Sequence, residues 1–156
     1  MSQIETQLYR RATFVTQLPV SHLYSPSHCW LSRSSDGTWR VGFTKFALRM
    51  LGELVDVQFE APVGAAVRPG DVLGAIEGFK ALSDLYCVGT GHFRGGNPEL
   101  RVDLDRLARS PYVEGWLYSF EGQPDPRCLD LGGYRELLDT TIDRILEKQK
   151  AEGTAE

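Results

Sequence analysis

The 156-residue sequence lacks several features that would place it in common functional classes. It has only three cysteines, and none of them form a Cys-x-x-Cys pair, which argues against a disulfide framework or a zinc site. The formal net charge is −4, so there is no basic excess for binding nucleic acid or anionic lipid. No apolar run is long enough to span a membrane, and Met1 to Arg11 lacks the apolar core of a secretory signal. We therefore expect a cytoplasmic protein with reduced cysteines.

Short segments with β character fill most of the chain. The clearest predicted strands are Leu54 to Phe59, Val72 to Ile76, Leu85 to Val88 and Trp116 to Phe120, separated by Gly, Pro and Asp-Gly turn signals. The four glycines between Gly89 and Gly96 predict that this stretch is broken into short strands and turns. Hydrophobic residues make up 42% of the chain, enough for the core of one domain. The pattern predicts a compact, mainly β fold closed on itself.

Two helices are predicted beside the strands, in addition to one or two helical turns between Val102 and Ala108. The first runs from Thr44 to Leu51, with Thr44 as its N-cap and Gly52 just after its end. The second runs from Tyr134 to Lys148, and residues 150–156 are predicted to be a frayed tail. The second helix is predicted from apolar residues and one threonine that recur at helical spacing on one face: Tyr134, Leu137, Leu138, Thr141, Ile142, Ile145 and Leu146.

Lys80 lies near the middle of the segment Glu77 to Asp84, between two predicted strands. The simplest structure for this segment is a hairpin with Lys80 close to its tip. A lysine at such a place is usually a solvated surface residue. Only the residues around it indicate another role.

Those surrounding residues resemble lipoyl and biotinyl carrier proteins. The bend Val63 to Asp71 is similar to the turn before that family's modified hairpin, and Ile76 to Ala81 is similar to the hairpin itself. Biotin carriers usually have methionines beside the lysine, whereas Phe79 and Ala81 flank Lys80 and favour lipoyl. Over about residues 23–120 the resemblance narrows to the glycine-cleavage H-protein type. It rests on five ordered blocks: Tyr24-Ser25-Pro26-Ser27-His28-Cys29-Trp30, Val41-Gly42-Phe43-Thr44-Lys45-Phe46-Ala47 with Leu51-Gly52-Glu53-Leu54-Val55, Lys80-Ala81-Leu82-Ser83-Asp84-Leu85-Tyr86, the Gly91-to-Asn97 spacing, and Pro111-Tyr112-Val113-Glu114-Gly115-Trp116-Leu117.

This resemblance implies a fold, a cofactor and a carrier role. The implied fold is a lipoyl-domain-like barrel-sandwich hybrid, or hammerhead, with a short internal helix and a C-terminal amphipathic helix. The implied cofactor is lipoate, joined covalently to Lys80 by a lipoate-protein ligase. The resulting arm would visit partner enzymes at high effective concentration and carry electrons or a thiol-bound group. The protein itself would be non-catalytic, with no catalytic residues of its own.

Four other residues are expected to contact the arm or the ligase: Glu77, Asp84, Ser27 and Cys29. Glu77 and Asp84 flank the hairpin, where they would steer a basic partner or merely keep the turn soluble. Cys29 stands where ordinary H proteins have a glutamate that helps hold a cationic aminomethyl group. A thiol is mostly neutral at ordinary pH and replaces a carboxylate poorly. Alternatively, Cys29 and Cys87 are simply small buried hydrophobic residues.

Three functions follow from these features. The missing glutamate and the extended ends favour the lipoate-binding proteins of bacterial sulfur oxidation, with a heterodisulfide-reductase-like complex as partner. The alternative is a glycine cleavage carrier that works with glycine decarboxylase, aminomethyltransferase and dihydrolipoamide dehydrogenase. A third possibility is an interaction module without lipoate, because Gly78 replaces a serine common in the family and would weaken recognition by a general ligase.

We expect four regions along the chain. Residues 1–22 form an N-terminal extension that lies across the main fold, and residues 23–120 form the lipoyl domain. Residues 121–150 form a C-terminal extension with a helix, and residues 151–156 form the tail. The three histidines are too dispersed for a metal site, and nothing in the sequence indicates an obligate oligomer, so a monomer is expected.

Overall fold

The computed structural model describes residues 4–154, which form eleven strands, three α-helices and one short 3-10 helix. The strands are β1 (Thr6–Arg11), β2 (Phe14–Pro19), β3 (Leu23–Tyr24), β4 (Cys29–Arg33), β5 (Trp39–Phe43), β6 (Leu54–Phe59), β7 (Ala66–Val67), β8 (Val72–Gly78), β9 (Leu82–Tyr86), β10 (Gly89–Gly96) and β11 (Trp116–Pro124). The helices are α1 (Lys45–Leu51), the 3-10 helix (Pro98–Arg101), α2 (Arg106–Arg109) and α3 (Leu131–Thr154).

The strands form three antiparallel sheets. A six-stranded sheet has the order β3-β4-β5-β11-β10-β7, and a three-stranded sheet has the order β6-β8-β9. The third sheet is the hairpin β1-β2. The mainly β class with a short internal helix and a C-terminal helix is confirmed. Within residues 4–154 the strand orders are open, so hydrogen bonding does not close the sheets into a barrel.

The two larger sheets share one hydrophobic core. Leu73 and Ile76 of β8, Leu85 of β9 and Phe120 of β11 are all buried in it. Fully burying a side chain of this size contributes about 1.5–3 kcal/mol of transfer free energy. On β8 the buried Ile76 is followed by the exposed Glu77, as the two-residue period of a strand requires. This alternation fixes which face of the lysine hairpin points outward.

A second core joins the two ends of the chain. Tyr9 of β1 and Leu18 of β2 pack in the same cluster as Leu138 of α3. The Tyr9 hydroxyl donates a hydrogen bond of 2.7 Å to Asp139 on α3. Arg11 donates to both carboxylate oxygens of Asp143, at 2.9 and 2.7 Å. The N-terminal segment, expected only as an extension across the fold, is thus a β-hairpin anchored on α3.

Two sequence predictions about secondary structure are wrong. The glycine-rich stretch is not broken up, because β10 pairs with β11 from Gly89 to Gly96 with one bulge, a long-range contact that glycine spacing does not reveal. The last helix begins at Leu131 and continues to Thr154, so residues 150–154 are helical and not a frayed tail. At its start, Asp130 accepts a hydrogen bond of 2.8 Å from the Gly133 amide. Residues 155–156 lie outside the described part of the chain.

Candidate functional site

A β-hairpin presents Lys80 to solvent. Strand β8 extends to Gly78 and β9 begins at Leu82, so the tip consists of Phe79, Lys80 and Ala81. The Gly78 amide donates a hydrogen bond of 2.9 Å to the Ala81 carbonyl and closes the turn. All three tip residues are exposed. The predicted hairpin is therefore present, with a tip shorter than the sequence indicated.

The end of α1 fixes the backbone of this tip. The Lys80 amide donates to the Leu51 carbonyl, and the Phe79 amide donates to the Glu53 carbonyl, both at 2.9 Å. Helix α1 itself is set by the predicted caps, since the Thr44 hydroxyl accepts from the Ala47 amide at 3.4 Å and Gly52 follows the last turn. The last carbonyls of a helix lack intrahelical partners. One of them here holds the lysine hairpin in place.

The side chain of Lys80 lies across Gly52. A Cβ atom at Gly52 would be 2.9 Å from Lys80 Cγ, so only glycine leaves room for this path. Gly52 also has a φ of 75°, which other residues adopt at a cost. Beyond it, Lys80 Nζ donates a 3.4 Å hydrogen bond to the Arg49 carbonyl. The sequence marked Gly52 as a helix end, but its contact with the lysine depends on the tertiary fold.

Apolar and acidic side chains surround the lysine. Phe79 and Leu82 are 77% and 74% exposed, which is unusual for residues of this size. Glu77 and Asp84 are exposed on the two strands of the same hairpin. In register, Glu77 pairs with Leu82 and Asp84 pairs with Ala75, so neither acid lies directly opposite the other. The hairpin thus combines one cation, exposed apolar surface and two carboxylates.

Ser27 and Cys29 form a separate cluster at the start of β4. The Ser25 hydroxyl lies 2.8 Å from the Ser27 hydroxyl and accepts from the Cys29 amide at 3.0 Å. Ser27 is exposed, but Cys29 is only 7% exposed and belongs to the main core. Burial raises the pKa of the Cys29 thiol to about 12. Cys29 is therefore a neutral thiol at ordinary pH and a weak nucleophile.

The other two cysteines have similar surroundings. Cys87 is buried and its thiol donates to the Gly89 carbonyl at 3.2 Å, while burial raises its pKa. Burial also raises the pKa of the half-buried Cys128, to about 11. All three cysteines are free. Their pKa values describe packed side chains and not activated thiols.

The structure brings the expected site residues together in two groups. Glu77, Lys80 and Asp84 share the hairpin, and Ser27 is joined to Cys29 through Ser25. Within residues 4–154 no side-chain hydrogen bond or ion pair connects the two groups. The sequence did not predict that the backbone carbonyls of Leu51, Glu53 and Arg49 would accept hydrogen bonds from the lysine hairpin. Every residue has a backbone carbonyl, so the residue type does not indicate which of them will be an acceptor.

A buried hydrogen-bond network lies behind α1. The Tyr134 hydroxyl on α3 is 2.8 Å from the Thr44 hydroxyl and 2.9 Å from His28 Nδ1. Burial lowers the pKa of His28 to about 4, so the ring is neutral at ordinary pH. Because Thr44 caps α1, the network connects α3 to the helix that holds the lysine hairpin.

A comparison with family models decides the family. Residues 22–139 match the glycine cleavage H-protein model, which covers both site groups and most of the fold. The chain belongs to the glycine cleavage H-protein family. Members of this family are non-catalytic carriers with a lipoyl group joined covalently to a lysine. The H-protein match leaves residues 4–21, which include the N-terminal hairpin, outside it.

Individual relatives agree with the family match. The chain is 39% identical over 103 residues to a glycine cleavage system H protein of Opitutus terrae, covering 66% of this chain and 80% of the relative. It is 37% identical over 129 residues to that of Kocuria rhizophila, covering 80% of this chain and 100% of the relative. A crystal structure of the H protein from Mycobacterium marinum aligns with a TM-score of 0.66 at 33% identity, covering 75% of this chain and 95% of that one.

Two kinds of feature are absent from the part of the chain that the structure describes. No helix within residues 4–154 combines the length and the apolar character needed to cross a membrane. In the same part of the chain, no group of three or more His, Cys, Asp or Glu side chains is arranged to hold a metal ion.

Proposed function

We propose that Lys80 is the lipoylated lysine and that this chain is the H protein of a glycine cleavage system. The observation that carries the proposal is the position of Lys80 on a hairpin tip whose backbone is fixed by two hydrogen bonds to residues 51 and 53. An exposed amine on a fixed backbone suits modification by a second enzyme. The relatives described above support the glycine cleavage process, because each is named as an H protein of that system.

The residues of the hairpin have separate tasks in this proposal. When bound, the lipoyl group supplies a dithiolane that accepts two electrons and holds a thiol-bound group. Phe79 and Leu82 give a ligase or partner an apolar surface beside the lysine, and Glu77 and Asp84 attract a basic one. The Leu51 carbonyl keeps the tip in one position for successive partners. These partners are glycine decarboxylase, aminomethyltransferase and dihydrolipoamide dehydrogenase, with which H proteins work.

Intact mass spectrometry tests the modification and its site. Protein made in a host with lipoate-protein ligase should gain the mass of one lipoyl group. Lys80→Arg should abolish the gain, and Lys148→Arg, which changes an exposed lysine on α3, should not. An unmodified wild-type mass would refute the carrier function and favour the interaction module. A lipoylated Lys80→Arg variant would refute the site alone.

The sulfur-oxidation role with a heterodisulfide-reductase-like complex is a second candidate. None of the relatives described here supports it, and one observation favours it: Cys29 supplies a neutral thiol where H proteins have glutamate. The lipoylated protein should be mixed with glycine decarboxylase, and glycine-dependent exchange of labelled bicarbonate measured. Exchange that needs Lys80 supports the glycine role. If no exchange occurs while a known H protein is active in the same assay, the result favours the sulfur-oxidation role.

A further inference from the structure

A groove of about 1010 Å³ runs along β6, the strand at one edge of the three-stranded sheet. Five consecutive residues of β6, from Val55 to Phe59, line this groove, whereas none of the residues described for β8 or β9 does. Successive side chains of a strand point to opposite faces of the sheet, so a cavity on one face would be lined by alternate residues. The groove therefore follows the edge of the strand, and we call it the β6 groove.

The backbone along this edge has no partner in the part of the chain that the structure describes. Strand β6 pairs with β8 on its other side, and residues 54–59 make no other backbone hydrogen bond within residues 4–154. About half of the N–H and C=O groups of an antiparallel strand point away from its neighbour. Strand β6 also contains neither lysine nor proline, residues that often prevent such edges from pairing. The edge can therefore accept a further strand.

Apolar side chains form much of the groove. The Phe59 ring packs against Gly96 on the opposite wall, where a Cβ atom would be 2.5 Å from the ring, and its centroid is 5.9 Å from that of Phe93. Three valines that line the groove are exposed to water: Val55 (46%), Val63 (69%) and Val102 (83%). Unpaired backbone groups beside apolar pockets are the features by which a sheet edge recognises an extended peptide.

The charges in the groove favour an acidic partner. Among the described residues that line it, only Asp56 and Arg101 are charged. Asp56 already accepts a hydrogen bond of 3.0 Å from the Gln58 side-chain amide. Arg101 is exposed, and its side chain has no hydrogen-bond or ion-pair partner within residues 4–154. The charge that remains without a partner is thus positive, and a carboxylate complements it.

The β6 groove ends beside the lysine hairpin. Leu54, immediately before the groove residue Val55, lines a smaller cavity together with Lys80. Asp105, immediately after the groove residue Leu104, lines the same smaller cavity. Both walls of the groove therefore lead to Lys80, and a segment bound along β6 would lie next to the functional hairpin.

We propose that the β6 groove binds an extended, mainly apolar segment of a partner enzyme, which adds a strand to the edge of β6 and pairs an acidic side chain with Arg101. About six residues would fill this edge, because β6 is about 20 Å long at about 3.3 Å per residue. The groove includes neither Glu77 nor Asp84, so the bound segment orients the partner from a separate surface. The inference goes beyond the lipoylation of Lys80 and does not depend on it.

Peptide selection against the unmodified full chain tests this proposal. The probe is a displayed library of random peptides long enough to cover the six residues of β6. Selected peptides should alternate apolar and polar residues, as a strand does, and should carry an acidic residue. In NMR titrations they should shift the amides of residues 55–59 and 101–104. Residues 82–86 of β9, the other open edge of the same sheet, are the internal control and should not shift. A library that yields no peptide shifting residues 55–59 would overturn the proposal.

Two substitutions separate the apolar and the charged parts of the site. Val55→Lys places a charge at the edge and should weaken peptide binding on the order of ten-fold. Val72→Lys changes a valine of similar exposure (50%) on β8, outside the groove, and should bind as the wild type does. Arg101→Glu should weaken binding about five-fold, and a peptide whose acidic residue is replaced by lysine should recover it.

Either of two results would contradict the proposal. If Val55→Lys retains the wild-type circular dichroism and binds the peptides as tightly as the wild type, the segment does not lie along β6. If Arg101→Glu binds the acidic peptides unchanged, the pairing of the carboxylate with Arg101 is wrong.

Discussion

Replacement of Gly78 by serine tests how closely the lysine hairpin is seated on α1. Serine is the residue common at this position in the family, so the substitution restores a typical sequence. In this structure, however, a Cβ atom at position 78 would overlap the Leu51 carbonyl oxygen and lie 2.9 Å from the Leu51 carbonyl carbon. The same Leu51 carbonyl accepts the hydrogen bond from the Lys80 amide. The hairpin must move away from α1 to admit the side chain.

The expected cost follows from the contacts that would be lost. Moving the hairpin weakens the Lys80–Leu51 and Phe79–Glu53 hydrogen bonds, each worth about 0.5–1.5 kcal/mol net. Inserting atoms into a packed site costs about 1–3 kcal/mol when relaxation is incomplete. We therefore expect the free energy of unfolding to fall by roughly 2–4 kcal/mol. Such a variant remains folded if the wild type has a stability in the usual range of about 5–15 kcal/mol.

Urea denaturation and the rate of lipoylation measure the two consequences of Gly78→Ser. Both stability and lipoylation rate should fall, because the amine loses its fixed position. Gly132→Ala is the matched control: its Cβ would be 3.6 Å from the nearest atom, and alanine favours the helix by about 0.5–1 kcal/mol. A Gly78→Ser protein that is as stable as the wild type and is lipoylated faster would refute the steric argument. It would support recognition of serine by the ligase instead.

Two further predictions concern His28, which packs against Phe46 and Tyr134, and the apolar face of α3. Because burial lowers the pKa of His28 to about 4, the unfolded chain, with its usual histidine pKa of about 6.5, takes up the proton first as the pH falls. Stability should therefore decrease on the order of 2–3 kcal/mol between pH ~6.5 and ~4, and pH-dependent urea curves should show a smaller decrease for His28→Asn. Burial also lowers the pKa of His22, so part of the loss of stability at low pH should remain in both proteins. If His28→Asn loses as much stability as the wild type over this pH range, His28 is not the group responsible. Ile142→Ala should lower the free energy of unfolding in urea by about 2–4 kcal/mol, because Ile142 is buried in the cluster that contains the N-terminal hairpin. Leu146→Ala is the control: Leu146 is 42% exposed, so its loss should cost less than about 1 kcal/mol. Equal effects of the two substitutions would mean that the end of α3 is not part of the core.

Local patterns in the sequence determined several parts of this structure. Turn signals between two β-like runs placed Lys80 on a hairpin tip, and Thr44 with Gly52 marked the limits of α1. The spacing of Tyr134, Leu138 and Ile142 gave the buried face of α3. These features were predictable because strand and helix periodicity, turns and caps depend on residues close together in the chain.

Tertiary structure alone decided which surfaces meet. Nothing local indicates that the Leu51 carbonyl would hold the Lys80 amide, or that Gly52 would leave room for the lysine side chain. The packing of the β1-β2 hairpin on α3 brings together residues more than 100 positions apart, and Cys29 is buried by strands distant in sequence. An amphipathic pattern predicts that one face of a helix or strand will be buried, but it does not predict which surface that face will contact. Apolar burial is non-directional, so the contacting surface is selected only when the whole core packs.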